Sequence, residues 1–288
     1  MNMLDFSKFQ PSKLKLQGYE INWQEPVIMA VVNVTPDSFF DGGEHDTFER
    51  AVDFAVKSAK AGAHILDVGG ESTRPGSLPV SYEEEIKRTL PVVEELASRN
   101  YLVSIDTMKH QVAEAALTVG AGIVNDVSGG VFDPDIFNVT ADYGAAIVLV
   151  HMRNMPQNMQ KNINFKDVLK EVTEELQKSV EKALKVGIPK HKIIIDPGIG
   201  FGKTAEQSVL LMSKAGEISK NLGFPVLVGP SNKSFIGKLT GASVENRLSG
   251  TAISCVLAWL SGSHIFRVHQ VAEIKQAFTI ADKMIEYL

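Results

Sequence analysis

The chain has 288 residues and a formal net charge of −5, with 44% hydrophobic and 22% charged residues. This composition is ordinary for a soluble globular protein, and the length suits one large domain. The only cysteine is Cys255, which excludes a disulfide framework and a cysteine-rich zinc site and agrees with a cytoplasmic location. No stretch approaches the ~20 consecutive apolar residues of a membrane helix, and the acidic balance provides no general field for nucleic acid.

Short apolar segments alternate with amphipathic stretches along the chain. The predicted strands cover residues 27–32, 65–68, 102–105, 122–124, 146–150, 193–195, 225–228 and 264–268. The predicted helices cover residues 47–61, 82–98, 110–119, 134–143, 165–186, 205–221, 246–261 and 272–287. Eight such repeats predict an α/β fold, a (β/α)8 TIM barrel in a single domain over 1–288, with the barrel proper at about 26–288. Residues 14–23 predict a short N-terminal hairpin that caps the barrel floor.

Polar or ionisable side chains follow every predicted strand. In chain order they include Asn33, Thr73 and Arg74, Asp106, Asn125, His151, Asp196, Lys233, and Arg267 with His269. In a TIM barrel the carboxyl ends of the strands converge on one mouth, where catalytic groups lie. The sequence therefore predicts an active site at this mouth.

Six of these segments, in order and at consistent spacing, resemble the dihydropteroate synthases, which are pterin-binding barrel enzymes of folate biosynthesis. They are residues 33–39, 67–76, 104–107, 196–203, 247–250 and 267–269. The resemblance implies a transferase that condenses 6-hydroxymethyl-7,8-dihydropterin pyrophosphate with p-aminobenzoate. The implied products are 7,8-dihydropteroate and pyrophosphate, formed by a dissociative, SN1-like substitution with Mg2+. It also implies a cytoplasmic homodimer that is a sulfonamide target.

A pterin ring presents several N–H donors, for which carboxylates and side-chain amides are natural acceptors. Asp106, Asn125 and Asp196 each stand at a strand end. A lone Asp after a strand is more often a helix N-cap, but three on neighbouring strands favour a ligand site. The resemblance implies that these three residues hold the ring, that Lys233 donates to its carbonyl side and that Met152 lines its pocket.

Arg267 and His269 are two residues apart on the last strand, so their side chains face the same way. A basic pair at a barrel mouth suits a phosphate group. The resemblance implies that they bind pyrophosphate together with Asn33, which also contacts Mg2+. Lys233, Asp106, Arg267 and His269 are the residues expected to act in catalysis.

Two long loops follow the first two strands, and such loops are often lids or binding segments. The resemblance implies that they close over the substrates, with Thr73 and Arg74 in the second loop. The implied p-aminobenzoate site is lined by Phe39, Pro75, Phe201, Lys233 and Ser234, with Ser234 meeting the carboxylate. The glycines of residues 198–202 are expected to let their loop approach the ligand closely.

Two positions depart from the family pattern. Asn232 stands where the family usually has Arg, and Gln270 stands where it often has Asp. Two alternatives therefore remain: a non-catalytic or altered-substrate pterin-binding paralogue, and a pterin-dependent methyltransferase of the same superfamily. The methyltransferase would have no need for Arg267 and His269.

Overall fold

The computed structural model describes residues 9–16, 18–35, 44–73, 76–161 and 163–287. Within them, eight parallel strands form one sheet in the order β8-β7-β6-β5-β4-β3-β10-β9. The strands are β3 Val27–Asn33, β4 Ile65–Gly69, β5 Val103–Asp106, β6 Ile123–Asp126, β7 Ala146–Val150, β8 Ile193–Asp196, β9 Leu227–Val228 and β10 Ile265–Val268. A parallel bridge between Ile195 and Val226 joins the two ends of this order. The predicted TIM barrel is confirmed.

Ten α-helices surround the described barrel. They are α1 Glu44–Lys60, α2 Tyr82–Ser98, α3 His110–Thr118, α4 Asp135–Asp142, α5 Val168–Lys185, α6 Ala205–Ser213, α7 Ala215–Leu222, α8 Ser234–Thr240, α9 Leu248–Leu260 and α10 Val271–Ile285. None of the helices in the described part of the chain is long and apolar enough to cross a membrane.

The single helix predicted over residues 205–221 is wrong, because two helices meet at Lys214. The amide of Gly216 donates to the carbonyl of Ser261 at 2.8 Å instead of to its own helix. A Cβ at Gly216 would lie 2.4 Å from that carbonyl oxygen, so only glycine permits this approach. Helix α8 was not predicted, because its seven residues are too few to show a helical period.

Side chains alternate between the two faces of each barrel strand. On β3, Val27 and Met29 belong to the cluster inside the barrel, whereas Ile28, Ala30 and Val32 pack with the helices. The same alternation holds on the other strands, and it turns several charged or polar residues towards the interior. They include Asp67, Ser104, Asp106, Asn125, Asp196 and Arg267.

The predicted hairpin is confirmed as strands β1 Leu14–Leu16 and β2 Tyr19–Ile21, which pair antiparallel. Leu14 and Trp23 are buried in the cluster that fills the barrel interior. The indole Nε1 of Trp23 donates to the carbonyl of Ser12 at 2.9 Å, so the polar end of this buried ring is satisfied. The hairpin thus closes the end of the barrel opposite to the strand ends that carry the polar residues.

Candidate active site

A pocket lies at the carboxyl ends of the barrel strands. It is lined by Val31, Asn125, Val127, Val150, Asp196, Phe201, Gly229, Ser231, Lys233, Arg267 and His269. Six of these eleven residues were predicted as site residues, although they come from four different strand ends and their loops. The convergence of strand ends brings them together, as the barrel topology requires.

Arg267 is the centre of a buried ionic network. Its Nε donates to Oδ2 of Asp67 at 2.6 Å, and its Nη2 donates to Oδ2 of Asp106 at 2.5 Å. Asn125 Nδ2 donates to the same Asp67 oxygen at 2.9 Å. Burial opposes the charge of Arg267, but Asp67 and Asp106 outweigh it, and the pKa of Arg267 lies above its ordinary value. Arg267 therefore stays charged and held in one orientation.

Three oxygen atoms in this network have no hydrogen-bond partner among the described residues. They are Oδ1 of Asp67, Oδ1 of Asp106 and Oδ1 of Asn125. Buried acceptors without a partner are costly, so three in one place indicate a site that a donor-rich ligand completes. Burial raises the pKa of the Asp106 carboxyl above its usual range, although Arg267 opposes this effect.

Asp196 and Lys233 form the next part of the pocket. Oδ1 of Asp196 accepts from the amide of Gly198 at 2.7 Å, and burial raises the pKa of this carboxyl against the effect of Lys233. Nζ of Lys233 donates to the carbonyl of Ile199 and lies 4.2 Å from the centre of the Phe201 ring. Burial lowers the pKa of Lys233 to about 8. The ammonium is therefore fixed between an aromatic face and a carbonyl, next to a carboxylate.

His269 and Asn33 stand at the ends of two neighbouring strands. Strand β10 pairs with β3, in the register Val268 with Ala30. Nδ1 of His269 lies 2.9 Å from Oγ of Ser231, which also accepts from the His269 amide at 3.2 Å. Asn33 is partly exposed at the end of β3. The predicted pyrophosphate residues thus lie at the carboxyl ends of two paired strands, and of the three only Arg267 and His269 line the pocket in the described structure.

The three glycines after β8 have left-handed φ values of +71°, +79° and +60°. The expected close approach exists, but in the described structure the loop approaches other residues of the protein. A Cβ at Gly198 would lie 2.0 Å from the carbonyl oxygen of His151, and one at Gly200 would lie 2.9 Å from Cδ of Lys233. The glycines therefore pack the loop of residues 197–203 against the residues that form the pocket.

The loop after β4 is anchored at its base. Nζ of Lys109 contacts Oε2 of Glu71 and lies 2.5 Å from Oε2 of Glu85, whereas Nη1 of Arg88 donates to the carbonyl of Gly70 at 2.9 Å. Thr73 lies partly buried beyond this anchor and does not line the pocket.

The comparisons with known proteins agree with this geometry. The family model for pterin binding enzymes matches residues 29–269. The dihydropteroate synthase of Synechocystis sp. is 42% identical over 288 residues, and the match covers 99% of each chain. The Xanthomonas albilineans dihydropteroate synthase with 4-aminobenzoic acid has a TM-score of 0.88 and 38% identity, covering 96% of this chain and 99% of that one.

The chain belongs to the dihydropteroate synthases. The same Xanthomonas enzyme in complex with 7,8-dihydropteroate has a TM-score of 0.85, at 37% identity over 96% of this chain and 99% of that one. The reaction class is therefore that of a transferase in folate biosynthesis. Because these relatives are synthases, the methyltransferase alternative is not retained.

Not every predicted residue of this dihydropteroate synthase lines the pocket. Asp106 reaches it only through Arg267, and Met152 is buried in the interior cluster together with Phe201. Ser234 is exposed at the first residue of α8. The predicted residues Phe39, Arg74 and Pro75 lie outside the described residues.

Sequence reasoning missed four residues that the synthase places in or behind the pocket. They are Asp67, His151, Lys203 and Ser231. Asp67 had a usable signal, because a charged residue inside the otherwise apolar strand segment 65–68 needs a buried partner. Ser231 had no comparable signal, since its role depends on the side chain of His269 meeting it across two strand ends.

One group of side chains in the described residues could hold a metal ion by its ligand chemistry, namely His110, Asp133 and Asp135. Nδ1 and the amide of His110 already contact Oδ2 of Asp133, at 2.8 Å and 2.9 Å. This arrangement fixes the start of α3 and is separate from Asn33, the predicted magnesium ligand of the synthase.

Proposed function

We propose that the pocket binds the pterin ring and the pyrophosphate of 6-hydroxymethyl-7,8-dihydropterin pyrophosphate side by side, and that Arg267 connects the two parts. The observation that carries this proposal is the group of three buried oxygens without partners beside a fixed guanidinium. The ring supplies N–H donors for these oxygens, and the pyrophosphate supplies negative charge for the cations.

The ring is held by Asp106, Asn125 and Asp196, with Lys233 donating to its carbonyl side and Met152 in the wall behind it. This assignment is supported by the burial of the three acceptors, which are 6%, 1% and 5% exposed. A buried acceptor discriminates strongly for a ligand that can donate to it, because an analogue without the donor leaves the oxygen unsatisfied.

The pyrophosphate is held by Arg267, His269 and Asn33. Arg267 uses Nε and one Nη2 hydrogen in the network, which leaves three of its five N–H groups for a ligand. His269 lies beside the same pocket, where Ser231 fixes its ring. As charge develops on the leaving oxygen, donors that are already oriented stabilise it without reorganising.

Substitution occurs at the methylene carbon of the pterin. The carbon–oxygen bond breaks first, and the electron pair leaves with pyrophosphate. The ring then carries positive charge, which the carboxylates of Asp106 and Asp196 stabilise. The amine nitrogen of p-aminobenzoate bonds to the methylene carbon and loses one proton, giving 7,8-dihydropteroate. No activated side-chain nucleophile is needed, because the arylamine is itself nucleophilic.

Magnesium fits the charge balance of this site. Arg267 and Lys233 are faced by three carboxylates, Asp67, Asp106 and Asp196, so these residues offer no surplus of positive charge to a pyrophosphate. Asn33 offers an amide oxygen, and Mg2+ is commonly held by few protein ligands together with waters and substrate phosphates. When bound there, Mg2+ would neutralise charge on the leaving group.

The arylamine binds against Phe201, Lys233 and Ser234, and Phe39, Thr73, Arg74 and Pro75 are proposed as further binding residues. The position of Phe201 in the pocket wall and the exposure of Ser234 support this placement.

Asn232 has a left-handed φ of 55°, and its carbonyl accepts from Nη1 of Arg247 at 3.0 Å. The loop is thus held by Arg247, although no Arg stands at position 232.

A homodimer is proposed through helices α9 and α10, which pack together. Ile253, Leu257, Ile280 and Met284 are each more than half exposed on these two helices. Such a patch is typical of a protein interface. Sedimentation of the purified chain should give a mass of twice 31.4 kDa.

A cytoplasmic location is proposed as well, in keeping with the single buried thiol of Cys255.

The dissociative route can be tested with a series of ring-substituted anilines. If the carbon–oxygen bond breaks before the amine attacks, kcat stays nearly constant while the basicity of the amine changes. If kcat rises steadily with amine basicity, attack and cleavage are concerted and the proposed route is wrong. Pyrophosphate release without any arylamine, measured by rapid quench, provides the complementary observation.

A further inference from the structure

Lys203 is a buried lysine at the end of the loop of residues 197–203, and the mechanism above does not use it. The residue is only 3% exposed. Nζ lies 2.9 Å from the carbonyl oxygen of Phe201, 2.9 Å from Nδ1 of His151 and 3.2 Å from the carbonyl oxygen of His151. Three acceptors thus surround a group that has three hydrogens to donate when it is charged.

Glu175 on helix α5 sets the tautomer of His151. Oε2 of Glu175 lies 2.9 Å from Nε2 of His151, and Oε1 lies 2.5 Å from Nη2 of Arg153. The hydrogen bond to His151, together with Arg153 and against a smaller effect of burial, lowers the pKa of Glu175 to about 2. An ionised carboxylate can only accept, so Nε2 carries the hydrogen and Nδ1 accepts from Lys203.

The loop connects this buried group to the pocket. The carbonyl of Ile199 accepts from Lys233, and the Phe201 ring lies 4.2 Å from the Lys233 ammonium. Gly198 packs directly on the carbonyl of His151, where a Cβ would be 2.0 Å from the oxygen. A change in the contacts of Lys203 therefore displaces the carbonyl of Phe201, the ring that it carries and the contact with Lys233.

We propose that Lys203 is a positioning residue for the arylamine subsite, and that Glu175, acting through His151, keeps it as a donor to the Phe201 carbonyl. The proposal rests on the placement of p-aminobenzoate against Phe201. Lys203 does not touch the substrates; it fixes the backbone from which Phe201 projects.

The charged state of Lys203 gives the proposal a pH signature. It is faced by His151 and Arg153 after β7, Asp196 at the end of β8, Lys233 after β9 and Glu175 on α5. Burial lowers its pKa to about 7, with Asp196 opposing and Lys233 adding to the effect. The charged ammonium, which has three hydrogens to donate, is therefore present below that pH and is lost as the pH rises through it. Arylamine affinity should fall over the same range.

The sharpest test compares Glu175→Gln with Glu174→Gln. Both are single charge removals on helix α5, but Glu174 is 58% exposed and lies 3.9 Å from Lys170, another exposed side chain. In Glu175→Gln, the new side-chain amide can donate to Nε2 of His151. The hydrogen of His151 is then no longer held on Nε2, and Nδ1 can carry it and donate towards Lys203. Glu175 is 36% exposed, and Arg153 keeps its ion pair with Glu171 when Glu175 is changed, so Glu175→Gln is expected to fold.

The expected result for Glu175→Gln at pH 6.5 is a KM for p-aminobenzoate raised about tenfold, with the alkaline fall in affinity moved to lower pH. The Kd for pterin pyrophosphate should change less than the KM for p-aminobenzoate. Of the proposed ring-binding residues, Asp196 and Lys233 contact the loop, whereas Asp106 and Asn125 are held by the network around Arg267. Lys203→Met should show the high KM at every pH. Glu174→Gln should match the wild type.

Equal KM values and pH profiles for the two Gln variants would overturn the proposal. Phe201→Ala distinguishes a wrong role for Lys203 from a wrong placement of p-aminobenzoate. If Phe201→Ala leaves the KM for p-aminobenzoate unchanged, the arylamine does not bind there and both statements fall. If Phe201→Ala raises that KM while Glu175→Gln does not, only the role of Lys203 is refuted.

Discussion

Nε of Arg267 and Oδ2 of Asp67 are 2.6 Å apart, although the two residues are 200 positions apart in the chain. This contact passes over β3 on the inside of the barrel, from β10 to β4, and the Asp67 side chain is fully buried. Asp67 also accepts from Asn125 at 2.9 Å. One carboxylate therefore orients both Arg267, proposed to bind the pyrophosphate, and Asn125, proposed to bind the ring.

Asp67→Asn should lower kcat/KM about 10- to 100-fold, because a charge-assisted hydrogen bond contributes about 1.5–3 kcal/mol. It should also reduce the free energy of unfolding by about 2 kcal/mol, since Arg267 then faces fewer carboxylates. Steady-state kinetics and urea unfolding measure the two effects. Asp142→Asn, at an exposed position in α4, is the matched control. Full activity in Asp67→Asn would show that Asp106 alone orients Arg267.

The affinity for pterin pyrophosphate should fall as the pH rises through about 8. Burial lowers the pKa of Lys233 to that value, so the ammonium that donates to the ring is present below it and lost above it. Calorimetric titration between pH 6.5 and 9.5 measures this fall. Lys233→Met should bind weakly and without this pH dependence, whereas Lys238→Met on the exposed side of α8 should behave as wild type. An unchanged alkaline fall in Lys233→Met would assign it to another group.

Gly198→Ala should abolish most activity and reduce stability. Its φ of +71° costs an L-residue about 1–2 kcal/mol, and the added Cβ would lie 2.0 Å from the carbonyl oxygen of His151. Gly187→Ala is the control, since its φ is +102° but no atom lies within 4 Å of the added Cβ. It should lose a similar strain energy in thermal unfolding while kcat and KM stay unchanged. Normal kinetics in Gly198→Ala would show that the loop tolerates displacement.

Asn33→Ala should raise the Mg2+ concentration needed for half-maximal rate about 10-fold, with little change in the KM for p-aminobenzoate. The reason is that Asn33 is the one protein oxygen ligand proposed for the ion at the end of β3. Rate measurements over a magnesium titration check this. An unchanged magnesium requirement would remove Asn33 from the metal site and leave it with a role in binding the pyrophosphate alone.

The barrel and its mouth could be predicted from the sequence because strand period and strand-end chemistry are local properties. Asp106, Asn125, Asp196, Lys233, Arg267 and His269 were found in this way. The connections between them were not, because the contact of Arg267 with Asp106 depends on which strands face each other across the barrel. The residues predicted for the ring and for the pyrophosphate are therefore connected, since Arg267 donates to Asp106.

The role of Lys203 illustrates the same limit. As the last residue of a glycine-rich segment, it was predicted only as part of a motif, whereas its partner His151 follows a different strand. The break between α6 and α7 depends likewise on Gly216 meeting the end of α9. A sequence pattern can indicate that a residue needs a contact partner, but the fold determines which residue that partner is.

The central claim is that this pocket performs the whole condensation and does not merely bind a pterin. The most direct measurement follows 7,8-dihydropteroate and pyrophosphate together, with purified protein, 6-hydroxymethyl-7,8-dihydropterin pyrophosphate, p-aminobenzoate and Mg2+. We expect sustained formation of both products in equal amounts, and loss of both in Asp106→Asn while that variant stays folded. Tight binding of the pterin substrate with no product above the uncatalysed level would contradict it, and would identify a non-catalytic pterin-binding paralogue.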